Sequence, residues 1–124
     1  PHFEAPNQIK VSAIDRGSMI RIPLGNEKSA RIEVRSVGPD ANIYQTLYTL
    51  LRTGFEGPTS DPKDEAKRTR TRFLPDNIQD AIRLFKQSEW NKTLFGENVA
   101  SKFAELKLAS AERCPKALGT MVKA

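Results

Sequence analysis

Scarcity is the first thing this sequence offers. Among 124 residues there is one cysteine, Cys114, and one histidine, His2. A single cysteine excludes a disulfide framework within the chain and fits a reducing, cytoplasmic setting. Cys114 precedes Pro115 in a helical pattern with no base partner, so it reads as packing. A single histidine excludes a histidine-rich metal site built from this chain alone. No run approaches the roughly 18 apolar residues that a membrane helix needs, and no secretory leader is visible, so no membrane partner is expected. An initiating methionine is also missing: the chain opens at Pro1 and stops at Ala124 inside a helical pattern, which reads as a piece of something larger. No internal repeat is present.

What remains is the composition of a soluble globular sequence, 38% apolar and 28% charged. Its length is that of one domain with a modest core. The net charge of +5 points to anionic partners without separating nucleotide, phosphate, nucleic acid and membrane surface.

The first third alternates like strands and the rest is helical, an α+β pattern. In "IKVSAI" (residues 9–14), Ile9, Val11 and Ala13 alternate with Lys10 and Ser12. "SMIRIPL" (18–24) places Met19, Arg21 and Pro23 on one face and Ile20 and Ile22 on the other, and Pro23 should end its ladder. "GNEK" (25–28) is a turn, and "ARIEVR" (30–35) returns, so residues 18–35 are expected to form an antiparallel hairpin. About three helices should follow. Asp40 is the expected N-cap of the first, with Ile43, Leu47, Leu50 and Leu51 as its apolar stripe and Gly54 or Gly57 as its end. Asp76, with Gln79 in a capping box, should open the second, which buries Ile78, Ala81, Ile82 and Phe85. The third should begin near Glu97, bury Val99, Phe103 and Leu106, and kink or stop at Pro115. The expected division is site-lining strands over 1–37, a helix over 38–57, a loop over 58–74 and C-terminal helices over 75–124.

Chemistry concentrates in the hairpin. Period two puts Arg31, Glu33 and Arg35 of "ARIEVR" on one face and Ile32 and Val34 on the other. Arg21 lies on the outgoing strand and Arg16 just before it, so four arginines and one carboxylate fall within a short span. A solvated strand with neighbouring ion pairs is the ordinary explanation of such a row. The alternative is a site for phosphate or carboxylate, since converging guanidinium forks repel one another unless an anion joins them. Glu33 could balance charge or hold a hard divalent cation.

Four strings in order, "FEAP" (3–6), "DRGSMIRIP" (15–23), "KSARIEVR" (28–35) and "GPDAN" (38–42), resemble the later part of the glutamine synthetase catalytic domain. The family's pattern there runs YEAP, RSxxIRIP, RIEVR and DPAANPY. The spacing from Glu4 to Arg16 and from Arg16 to Arg21 agrees with it, and the hairpin tip is one residue shorter. "LPDNIQDAIRLF" and the residues after it are similar to the family's C-terminal helices, so the likeness spans nearly the whole chain.

The resemblance implies an ATP-dependent glutamate–ammonia ligase, or one using a larger primary amine, that acts through a γ-glutamyl phosphate. It implies Mg2+ or Mn2+ and a homo-oligomeric ring for the full-length protein. Position by position, Glu4 matches a flap glutamate that takes a proton from ammonium. Arg16 and Arg21 match arginines on the transferring and ATP phosphates, and Arg31 one on the nucleotide. Arg35 matches the arginine on substrate glutamate, and Glu33 a metal carboxylate whose partner ligands, a histidine included, lie upstream of Pro1. The fragment alone is therefore expected to be inactive. Asp15 and Gly17 depart from the family's Asn and Ser, and Ile43 from its Pro. Arg72–Phe73 replaces Tyr-Asp, which removes the tyrosine that some bacterial members adenylylate. The loop over 55–74 is shorter than in those members. Two competing readings are a nucleic-acid module using "KRTRTR" (67–72), although no aromatic interrupts that run, and a non-catalytic scaffold for an oligomer.

Overall fold

Alternation in the first third does make strands, and the pairing between them sets which side chains meet. The computed structural model describes residues 5–61, 63–64, 67 and 70–113, in two units that divide after Leu74. Glu4, His2, Cys114 and Pro115 lie outside the described residues.

In the first unit, β1 (Gln8–Ser12), β2 (Ser18–Arg21) and β3 (Glu33–Val34) form one sheet in that order. The expected hairpin is present: β2 and β3 are antiparallel, with Ile20 opposite Val34 and Arg21 opposite Glu33. The bond from Arg35 N to Met19 O at 2.8 Å continues the pairing by one step. The ladder is shorter than "ARIEVR" suggests, because Pro23 has no N–H to extend it. Instead of a simple turn, the tip carries a 3₁₀ turn over Glu27–Ser29. Asn26 caps it, its Oδ1 accepting from Lys28 N at 3.1 Å and Ser29 N at 3.2 Å.

The strand β1 adds to the other side of β2 and runs parallel to it, with Val11 beside Ile20 and Ser12 beside Arg21. Its outer edge is also paired. Ile9 N donates to Arg72 O at 2.9 Å and Leu74 N to Asn7 O at 2.8 Å, about the bridge between Gln8 and Phe73. The end of the expected loop over 58–74 is thus an extra rung on the sheet. Paired residues project to the same side, so Val11, Ile20 and Val34 make an apolar row on one face. Ser12, Arg21 and Glu33 make a polar row on the other. At the start of β2, Ser18 is fully buried, and its hydroxyl has no hydrogen-bond partner among the described residues.

Helix α1 (Ile43–Glu56) is capped by Asn42, whose Oδ1 accepts from Tyr44 N at 3.0 Å and Gln45 N at 3.1 Å. The expected cap, Asp40, sits two residues too early, in a turn closed by Ala41 N to Gly38 O at 3.2 Å. Gly57 ends the helix, as one of the two expected stops. The stripe exists but is not a core: α1 buries no residue, and Ile43, Leu47, Leu50 and Leu51 are all exposed.

The second unit holds α2 (Ile78–Gln87), α3 (Glu89–Phe95) and α4 (Glu97–Arg113), so a short helix lies between the two expected there. The cap of α2 is Asn77, one residue after the expected Asp76. Asn77 Oδ1 accepts from Asp80 N, and Nδ2 donates to Asp80 Oδ2, both at 2.8 Å, so the cap is reinforced by a side-chain contact to Asp80, where the sequence suggested a capping box with Gln79. Ser88 ends α2 and starts α3, its hydroxyl accepting from Asn91 N at 3.2 Å. Gly96, at φ 75°, ends α3 in the left-handed region that glycine adopts without penalty. Ile82 packs with Ala104 and Ala111, and Phe85 leans on Phe103 and Phe95 with ring centroids 5.5 and 6.3 Å apart. The buried face of α4 is therefore its alanines. Val99 and Leu106, expected inside, are exposed, because the close approach of α2 selects small side chains at the contact.

Candidate active site

The cross-strand pairing aims the Arg21 guanidinium at the Glu33 carboxylate. Arg21 Nε donates to Glu33 Oε2 at 2.7 Å and Nη2 to Oε1 at 3.1 Å, a bidentate fork. Arg31, two residues before Glu33 on the same side, adds Nε to Oε1 at 3.0 Å, with Nη2 also 2.8 Å from Oε1. One carboxylate is thus clasped by two guanidinium groups. The Glu33 side chain keeps 27% of its accessible surface and that of Arg21 30%, so the clasp is not splayed over open solvent. The hydrogen bond from Arg21, followed by that from Arg31, lowers the Glu33 carboxyl to about 2 against partial burial, which acts the other way.

Arg35 takes a different partner. Its Nη1 donates to the carbonyl oxygen of Arg16, across the sheet from the clasp's outer strand. Arg16 itself is exposed at the head of the turn between β1 and β2. That turn is held by several hydrogen bonds. Asp15 N donates to Ser12 Oγ at 3.0 Å and Gly17 N to Asp15 Oδ1 at 2.8 Å. Gly17 O accepts from Asn7 N at 3.1 Å and Gln8 N at 3.0 Å. Lys10, from β1, forms an ion pair with the other oxygen of Asp15.

Of the residues singled out from sequence, Arg21, Arg31 and Glu33 meet directly, and Arg35 joins Arg16 through its backbone. Glu4 lies outside the described residues. The reading of the arginines alone missed Lys10, Ser12 and Asp15. The signal for Asp15 was present in "DRG": an aspartate two residues before a glycine is the mark of a side chain that accepts from its own turn.

The model of the glutamine synthetase catalytic domain matches residues 1–121 of this chain. The chain belongs to that family. A glutamine synthetase of Halobacterium salinarum is 31% identical over 86% of the chain, and one of Staphylococcus aureus 30% identical over the same share. The chain spans only 27% of the length of each of these relatives.

Within this glutamine synthetase segment, the donor set for a divalent cation is small. No group of three or more His, Cys, Asp or Glu side chains comes together among the described residues. Both oxygens of Glu33 are already engaged by guanidinium groups. The described residues therefore do not fit a metal by themselves, and Glu33 could be only one ligand among others supplied from elsewhere. No helix of the described residues is long and apolar enough to cross a membrane.

Proposed function

We propose that this chain is the C-terminal catalytic segment of an ATP-dependent ligase that joins glutamate to ammonia or a primary amine through a γ-glutamyl phosphate. The observation that carries the reading is the Arg21–Glu33–Arg31 clasp, on one sheet face, within a chain that matches the catalytic-domain family almost end to end. In this reading residues 1–37 line the site, α1 and the loop after it flank them, and residues 75–124 form a helical extension. The protein acts in the cytoplasm as a ring-shaped homo-oligomer, and this segment is inactive in isolation.

The chemistry asks for positive charge where a phosphoryl group is transferred and negative charge builds up. Arg16, exposed on a turn whose backbone is held on both sides, suits the transferring phosphate. Arg21 and Arg31 suit the triphosphate and the nucleotide through the guanidinium edges that Glu33 does not engage: the carboxylate holds both side chains in place, so little side-chain freedom is lost when an anion arrives. Arg35 is assigned to the carboxylate of substrate glutamate, and Glu4 to the proton of ammonium. A divalent cation on the phosphate oxygens would take its ligands from outside the described residues, and Glu33 could join them only by releasing a guanidinium group.

In the full-length protein, Glu33→Ala is expected to lower ATP-dependent γ-glutamyl transfer at least about a hundredfold, the scale of losing one preorganised charge at a transfer site. Unchanged turnover would defeat the assignment. A nucleic-acid role has no specific observation in its favour, and the described part of "KRTRTR" ends as a rung of the sheet at Arg72.

A further inference from the structure

The two departures from the family pattern around Arg16 are explained by a third residue. Asp15 brings a negative charge beside the arginine meant for phosphate, which on its own would oppose anion binding. Here that charge is met by Lys10 Nζ on Asp15 Oδ2, while Oδ1 accepts the Gly17 N–H at 2.8 Å. Gly17 makes room for this arrangement: a Cβ there would lie 3.2 Å from Asp15 Oδ1 and 3.5 Å from Asn7 Oδ1. The family's serine would press on the carboxylate where glycine does not. The carboxyl of Asp15 is held below the usual range by Lys10 first and the Gly17 N–H second, with Arg35 contributing at longer range.

We propose that Lys10, Asp15 and Gly17 form a charge-neutral pin that positions the Arg16 turn for an anionic phosphate, Lys10 being a positioning residue that no arginine motif reveals. The pin fixes the turn from the β1 side, as Arg35 fixes it through the Arg16 carbonyl from the β3 side. Arg16 then presents its guanidinium from a backbone that need not reorganise, and the Asp15 charge is spent on Lys10 instead of on Arg16. A neutral Asn at 15 could accept the same Gly17 N–H without needing a lysine, so the lysine and the aspartate are expected to be dispensable together but not apart.

The identity of the anion as ATP rests on the ligase reading, so the test uses an inert probe beside turnover. Binding of tripolyphosphate to the full-length protein is measured by calorimetry for wild type, Lys10→Ala, Lys10→Arg and Lys10→Ala/Asp15→Asn, alongside KM and kcat for ATP. Lys10→Ala should weaken tripolyphosphate binding and raise the KM for ATP by about two- to fivefold, the range of a part-exposed ion pair, with kcat nearly unchanged. Lys10→Arg should behave as wild type, and the double variant should recover. Equal affinity in all four proteins, failure of the double variant to recover, or no binding by any of them overturns the pin. The expected pattern of tripolyphosphate binding in a protein without ATP-dependent transfer supports the pin and overturns the ligase reading instead.

Discussion

At the scale of single residues, Glu33 decides how the hairpin responds to acid. Its carboxyl is lowered from an ordinary 4.5 to about 2 by Arg21 and then Arg31. A carboxyl depressed on folding adds stability that is complete above its unfolded value and disappears as pH falls through its folded one. The clasp should therefore hold in full above about pH 5, weaken below the ordinary value and be lost near pH 2. A carbon-detected titration of the Glu33 carboxyl in the full-length protein checks this; an ordinary midpoint would mean that the arginines do not engage it. The residues of the clasp could be named from sequence because period two places Arg31 with Glu33 and the hairpin adds Arg21. Arg35's choice of a backbone carbonyl could not, since it depends on how far the β1–β2 turn reaches across the sheet.

At the scale of elements, caps were legible in type but not in position. Asx side chains sit at the first two expected helix starts, and which one caps is settled by a residue or two of backbone. Asn42 and Asn77 win over Asp40 and Asp76 because each places an amide oxygen on the N–H groups two or three residues on. Asn77→Ala removes the α2 cap together with the side-chain contact to Asp80. It is expected to destabilise the helical unit by about 1 kcal/mol, read as a lower midpoint in thermal or urea unfolding, with Asp76→Ala near neutral. Helix α3 was missed because its seven residues are too few for a periodic signal, and its start and stop are carried by Ser88 and Gly96 alone. The inward face of α4 was misread for a related reason. Periodicity ranks large side chains first, whereas two helices in close contact bury alanine.

At the scale of the whole molecule, the strand-then-helix order and the α+β class follow from periodicity. Among the described residues, much apolar surface is left exposed. Val11 on β1, Ile22 just after β2, Ile32 just before β3, and Ile43, Tyr44, Leu47, Leu51 and Phe55 on α1 are all exposed. Apolar surface of this extent is uncommon on a free monomer. The chain spans about a quarter of its relatives' length, so the expected cover is the remainder of such a domain. Produced alone at high concentration, the segment should self-associate, and a strictly monomeric species by light scattering would count against this account. Periodicity reveals the stripe on α1 but not whether anything lies against it, which is why the stripe could be mistaken for core.

The brevity of the β2–β3 ladder carries one last implication. Two residue pairs, Ile20 with Val34 and Arg21 with Glu33, and one further bond from Arg35 N to Met19 O fix its register. Sliding one strand past the other by a single position would present valine to the arginine fork and turn the carboxylate to the greasy side. Length changes at the Gly25–Ser29 tip are thus harmless only where the loop absorbs them itself, as its short helical coil allows. Parity along the hairpin, more than the identity of any tip residue, is what guards the chemistry.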